Sequence, residues 1–328
     1  MDKLCALLIG LVLFSGRSAP AQGPSLPTVR VISLPGRPLP VVAAEMQGTF
    51  ARYGIQVQAE AAPNSDVLRA ALAAGKADIA HAAVDNAVAM ADSAAADVVI
   101  VMGGEDSLNE LIAQPGIHSI PELRGRTLTV DAPNTAYALQ LKKMLLSKGL
   151  QAGRDYELKP VGGTPLRLKA MRENKAYAAT MLGPPASLLA KQEGFVSLGM
   201  AEEIIGRSQA AGAFMRREWA EGHADTLVRY LAAYVEAQRW LLAPANKEQV
   251  IELIRKESDL PLSVAAETYA VSMQGRGGYV QDARFDVEGF NNVLKLRAEI
   301  EGPSGGRAPE AQKYYDLSFY RRALSKLK

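Results

Sequence analysis

The sequence predicts an α/β chain of two similar lobes, each a mainly parallel sheet flanked by helices. Three observations carry that prediction. From Val29 onward, short apolar runs alternate with amphipathic helical stretches, the pattern of parallel strands joined by helical crossovers. The same plan starts again at Leu123. Residues 64–87 also superpose on residues 163–186 at a constant offset of 99, without a gap.

Residues 29–33 read as the first strand and residues 34–38, Leu-Pro-Gly-Arg-Pro, as a loop. Leu39, Val42, Ala43, Met46, Phe50 and Tyr53 then recur at helical spacing until Gly54 stops the helix. Ile55, Val57 and Ala59 alternate as a second strand. Asn64-Ser65-Asp66 caps a helix that Gly75 ends, and residues 77–81 form a third strand finishing on His81. Asp85-Asn86 opens the next helix, and residues 97–102 make a fourth strand before Gly103-Gly104.

The second round begins with a strand over 127–130, a loop over 131–134 and a helix over 135–148 carrying Leu141 and Leu145 on one face. A strand over 156–161 precedes a helix with Thr164 as cap, Pro165 in its first turn and Asn174 as its stop. In the superposed segments Ser65 falls on Thr164, Ala71 on Ala170, Leu72 on Met171, Gly75 on Asn174, Lys76 on Lys175 and Ala80 on Ala179. Beyond Gln209, residues 211–215 suggest a returning strand. Residues 227–242, 247–257 and 263–273 suggest helices broken at Pro261, residues 302–306 a loop, and the basic tail from Tyr320 a surface helix.

Lys3, the apolar run 4–14 and Ala19-Pro20-Ala21 form an export signal with cleavage expected after Ala21. The run falls short of the ~20 residues that cross a bilayer. Cys5 leaves with it, so the mature chain has no cysteine for a disulfide, a thiolate metal site or a nucleophile. Formal charge is +2, from 37 Lys+Arg against 35 Asp+Glu, with no basic block, which argues against nucleic acid as a partner. His81, His118 and His223 are the only histidines and none are close in sequence, so neither a metal site nor a Ser-His-Asp arrangement has support. No catalytic residue and no cofactor is expected.

The stretch 39–55, LPVVAAEMQGTFARYGI, resembles the opening helix of the nitrate/sulfonate/taurine class of periplasmic binding proteins, which share their fold with the thiamine-pyrimidine synthases. Residues 71–80, ALAAGKADIA, look like the second hallmark of that class, and residues 122–130, ELRGRTLTV, like the third. All three occur in family order and spacing, over roughly residues 28–240. The resemblance implies the type II periplasmic-binding fold, with a cleft that closes on ligand. It implies lobe one over 28–113 plus 214–328 and lobe two over 114–213. It also implies a periplasmic, monomeric substrate-binding component that delivers a small molecule to an ABC permease in the inner membrane. A thiamine-pyrimidine-synthase-like enzyme is disfavoured, because Pro38 stands where those enzymes place a histidine and the mature chain lacks their cysteines. A sensor that docks on a membrane receptor remains open.

Open parallel sheets bind ligands beyond the carboxyl ends of their strands. The expected contacts are therefore Arg37, Leu39, Asn64, Ser65, His81, Asp85, Asn86, Glu105, Asn134, Thr135, Tyr137, Thr164, Met181, Gly183 and Pro184. Several open helices, whose unpaired first-turn N–H groups suit a carboxylate, a sulfonate or a similar anion. Asn64, Ser65, Asn134, Thr135 and Thr164 equally fit as plain helix caps. His81 is either a ligand contact or a hydrogen-bonded structural residue, and Arg37 either an anion partner or a solvated loop residue. Asp85 facing inward would require a ligand with a hydrogen-bond donor. Tyr137 would stack on an aromatic ligand or simply pack, and Gly183-Pro184-Pro185 would admit a ligand or only form a turn.

Overall fold

Two five-stranded sheets of identical topology organise the chain. The computed structural model describes residues 26–93, 96–275, 277–302 and 307–327. The export signal expected over 1–21 lies outside the described residues, as does most of the loop expected over 302–306. The strands in chain order are β1 (Thr28–Ser33), β2 (Gln56–Ala61), β3 (Ile79–Ala83), β4 (Val98–Met102), β5 (Glu105–Asp106) and β6 (Glu110–Ala113). They continue with β7 (Thr127–Val130), β8 (Glu157–Pro160), β9 (Tyr177–Leu182), β10 (Val196–Met200), β11 (Ala211–Arg216) and β12 (Gly278–Tyr279).

The first sheet has the order β2-β1-β3-β11-β4 and the second β8-β7-β9-β6-β10. In the first, β1 pairs in parallel with β2 and β3, while β11 runs antiparallel to both β3 and β4. In the second, β7 pairs in parallel with β8 and β9, while β6 runs antiparallel to both β9 and β10. The repeat legible at an offset of 99 is thus a repeat of the whole sheet plan. β5 and β12 make a separate two-residue ladder.

The exchanged strands correct the expected lobe boundaries. Residues 110–113 belong to the second sheet and residues 211–213 to the first, so the chain crosses before Glu110 and returns before Ala211. The strand β6 is buried on both faces: Leu111 and Ala113 pack with Leu128 and Leu141, and Ile112 packs with Leu182. A run buried on both faces carries no alternation to show which sheet holds it.

Two further differences have local causes. The helix expected over 39–53 is two helices, Leu39–Met46 and Thr49–Arg52, because Gly48 takes a left-handed conformation at φ 63°. His81 lies mid-strand rather than at a strand end, since β11 pairs with β3 as far as Ala83 and lengthens it.

The first lobe has a core on each face of its sheet. Val29, Val31, Ile79 and Met215 face the helix Ala224–Leu242, through Leu231 and Val235. Ile32, Ala80 and Phe214 face the helices Ser65–Ala73, through Leu68 and Leu72, and Val287–Glu301, through Phe290 and Leu294. That last helix has no counterpart in the sequence reading. Its start is capped by Asp286, whose side chain accepts from the Glu288 N–H at 3.1 Å. The tail helix, Ser318–Ser325, is only partly a surface element, because Phe319, Tyr320 and Ala323 bury their side chains in the core.

Candidate functional site

The lobes meet along a rim built from the expected loops. The Asn64 side chain accepts from the Val67 N–H at 2.9 Å, so its oxygen is committed to the helix it opens. The Ser65 N–H lies 3.3 Å from each Asp131 carboxylate oxygen, and its hydroxyl donates to the same group. The helix end expected to receive a ligand anion thus holds a carboxylate of the facing lobe. Beside it the Gly163 N–H donates to the Pro63 carbonyl at 3.1 Å. The Asn134 side-chain oxygen accepts from Arg69 at 3.3 Å and its carbonyl from Arg297 at 3.1 Å. Thr135 donates its hydroxyl to the Ala132 carbonyl at 3.0 Å instead of capping its helix.

Three expected contacts point elsewhere. The Arg37 guanidinium is spent on Glu45 at 2.7 Å and Glu257 at 3.1 Å. Asn86 donates to the Ala83 carbonyl at 3.1 Å at the foot of its own helix. His81 is buried against the helix Ala224–Leu242, with Nε2 2.8 Å from the Tyr230 hydroxyl and its ring stacked on Tyr234 at 4.9 Å. Burial pulls its pKa down to about 3, so it is a neutral imidazole.

Asp85 is fully buried at the lobe junction, and neither carboxylate oxygen has a well-formed hydrogen bond among the described residues. Burial pushes its pKa up to about 7, although Arg297, with Nη1 3.5 Å away, pulls it back. A cavity of about 20 Å³ lined by Asp85, Asn109, Tyr137 and Gln140 adjoins it, with room for one water.

A second group of residues lies about the β5–β12 ladder. Glu105 on β5 lies opposite Tyr279 on β12, and directly opposed residues of a ladder share a face. The Tyr279 hydroxyl lies 3.4 Å from the Leu39 N–H. Burial raises the Glu105 pKa to about 7, and the neighbouring Asp106 charge adds to the effect. Burial likewise pushes Tyr137 up to about 12 and Tyr234 and Tyr279 well upward, and the Glu105 charge contributes to all three. Glu105, Tyr137 and Tyr279 each keep some accessible surface. At Gly183 an added Cβ would lie 3.1 Å from the Asn109 side-chain oxygen and 4.0 Å from the Tyr137 hydroxyl. Pro184 follows in the same turn, half-buried. A larger groove of about 900 Å³, lined by Arg69, Asn134, Leu294 and Arg297 among others, shares none of these residues.

The residue the sequence reading missed is Arg167. It is 1 % exposed, yet it makes no ion pair among the described residues. Its guanidinium donates to the Thr180 hydroxyl, the Gly162 carbonyl, the Thr164 hydroxyl and the Met181 carbonyl, at 3.1, 2.7, 3.1 and 3.0 Å. Four of its five N–H groups are then engaged, which leaves one on Nη1. It lies 5.3 Å from the centre of the Tyr137 ring. Thr164 and Met181 thereby serve the site by holding this cation, with the Met181 side chain itself in the second-lobe core. Burial lowers the Arg167 pKa, while Tyr137 and Asp131 act in the opposite sense. An Arg at a position of the apolar stripe was the available signal.

A family model described as the NMT1-like family matches residues 35–255. The chain belongs to that family. Among solved structures, a protein of Bordetella bronchiseptica RB50 superposes on this NMT1-like chain with a TM-score of 0.78, at 20% identity over 93% of this chain and 99% of that one. The periplasmic nitrate-binding protein of Synechocystis PCC 6803 gives 0.75 at 14% identity, over 94% and 90%. The alkanesulfonate-binding protein of Xanthomonas axonopodis pv. citri gives 0.67 at 16% identity, over 85% and 92%. The shared architecture is the type II periplasmic-binding fold. No curated protein matches the sequence. Among the described residues of the NMT1-like chain, no helix is long and apolar enough to cross a membrane and no cluster of three or more His, Cys, Asp or Glu is placed to hold a metal.

Proposed function

We propose that this protein is the periplasmic substrate-binding component of an ABC importer. It captures a small organic molecule bearing a carboxylate, a sulfonate or a similar anionic group between its lobes and delivers it, as a monomer, to an inner-membrane permease. The observation that carries the reading is Arg167, a buried cation at the carboxyl ends of the second-lobe strands that forms no ion pair among the described residues. Burying a charge without a counter-ion is costly, and a ligand anion offsets that cost. The rim contacts Ser65 to Asp131 and Gly163 to Pro63 support a closing cleft, because they exist only when the lobes touch. Affinity then reflects contacts made in the closed state less the cost of closing.

The test is a thermal-shift screen of the mature chain against sulfonates, carboxylates, aromatic acids and pyrimidines. The expected result is stabilisation by one class of acid with one molecule bound per chain, lost in Arg167→Leu. Chemical turnover of the bound compound would overturn the reading.

A further inference from the structure

We propose that the groove between the helices Ser65–Ala73, Asp85–Asp92 and Val287–Glu301 is a second ligand site, apart from the cleft, for an apolar monocarboxylate such as a medium-chain fatty acid. The inference does not depend on the capture function proposed above.

The groove has the size of a ligand pocket, about 900 Å³, whereas the cavity beside Asp85 holds one water. It is separate from the buried cation of the second lobe. Neither Arg167 nor Thr164 nor Tyr137 lines it, and Asn134 is the one lining residue that the second lobe supplies. Most of its wall is apolar. Ala73, Ala89 and Ala298 present short side chains that fill little of the space, while Met90 and Leu294 belong to the buried core of the first lobe.

Two guanidiniums on that wall meet at Asn134. Arg69 Nη2 donates to its side-chain oxygen at 3.3 Å, and Arg297 Nη1 donates to its carbonyl at 3.1 Å. The other edge of Arg297 is unspent: Nε and Nη2 donate to no described residue, and Asp85, its one carboxylate neighbour, lies 3.5 Å from Nη1. Its side chain is 16 % exposed, so that edge is within reach of a ligand. Arg69 Nη2 also pairs with the exposed Asp66, but its buried Nη1 has no partner among the described residues. The acids of the wall are already engaged. Asp92 holds Lys313 at 3.1 Å and accepts from the Tyr314 hydroxyl at 2.7 Å, and Glu301 pairs with Lys142.

An Nε/Nη2 edge is a planar fork that two carboxylate oxygens meet together, and the apolar wall beside it takes a hydrocarbon tail out of water. Head and tail are thus both specified.

The test is calorimetry on the mature full chain with octanoate, butyrate and octanol. One octanoate is expected to bind per chain, at least about tenfold more tightly than butyrate, which lacks the tail, and than octanol, which lacks the charge. Ala298→Phe, which fills the groove, and Arg297→Gln, which removes the fork, are each expected to weaken octanoate at least about tenfold while circular dichroism reports the same fold. Arg167→Leu is expected to leave octanoate binding intact. No binding of octanoate, no preference for it, or binding that survives either groove variant would overturn the inference and leave anion capture standing. Loss of octanoate in Arg167→Leu alone would also overturn it, by placing the acid in the cleft.

Discussion

Leu68 and Arg167 occupy the same position in the two lobes, 99 residues apart on matching helices, Ser65–Ala73 and Thr164–Glu173, and both are buried. Leu68 packs among Leu72, Ala80 and Phe214, as the scaffold requires. Arg167 is ringed instead by oxygens of Gly162, Thr164, Thr180 and Met181. One plan therefore serves two purposes. A position that needs only a methyl-rich side chain in the first lobe holds an unneutralised charge in the second, and the added cost of burying it is a sign of use beyond packing. The same offset pairs His81 with Thr180 and Asp85 with Pro184. The shifted histidine and aspartate thus sit on the first-lobe side alone.

The contrast is broken most severely by exchanging the two residues. Leu68→Arg puts a cation where no oxygen cage exists, and a loss of more than about 4 kcal/mol is expected, read as failure to fold or a steep fall in Tm. Arg167→Leu makes the second lobe like the first. Anion affinity is expected to fall about a hundredfold, or ~2.7 kcal/mol, with Arg167→Lys recovering part of it in calorimetry. Unchanged affinity in Arg167→Leu would reduce the contrast to packing.

Acid titration sharpens the asymmetry next. Asp85 and Glu105 both titrate near 7 in the folded chain, above their unfolded values, so the folded state holds more protons and stability falls as pH rises from about 4 through 7. His81, lowered to about 3, acts the other way: its neutral burial adds stability above its unfolded value of 6.5 and loses it as pH falls toward 3. Two carboxyls against one imidazole leave a net loss of roughly 2 kcal/mol between about pH 5 and 7. In Asp85→Asn/Glu105→Gln the slope is expected to change sign, which denaturant melts across that range will show. The smallest effect belongs to the cap: Asn64→Ala is expected to cost about 1 kcal/mol, while its counterpart Gly163 has no side chain to lose.

What was legible in the sequence was what neighbours decide. Asn64 caps and Gly75 stops the helix as read, with Gly75 at φ 67°, and β7 spans the residues expected. Asn174, read as the matching stop, is extended at φ −137°, so the echo holds in position more than in conformation. What depends on distant partners was not legible. Ser65 reads as a free helix start until Asp131 arrives from the other lobe, and Arg37 as a free cation until Glu257 does. Arg167 looks like any charged helix residue, because half of its cage comes from the strand Tyr177–Leu182, more than ten residues further along the chain. Tyr279 is placed only by its pairing with Glu105, 174 residues earlier.

The exchange of β6 and β11 also governs the order in which the molecule can be made. The strand β4 joins its sheet only through β11, which follows it by more than a hundred residues. A chain growing from its amino terminus presents β1 to β4 long before the strand that unites them, so the first lobe to be synthesised is the last to close. Its Val98–Met102 edge, five apolar residues long, stays bare during that interval and is the segment most in need of a chaperone.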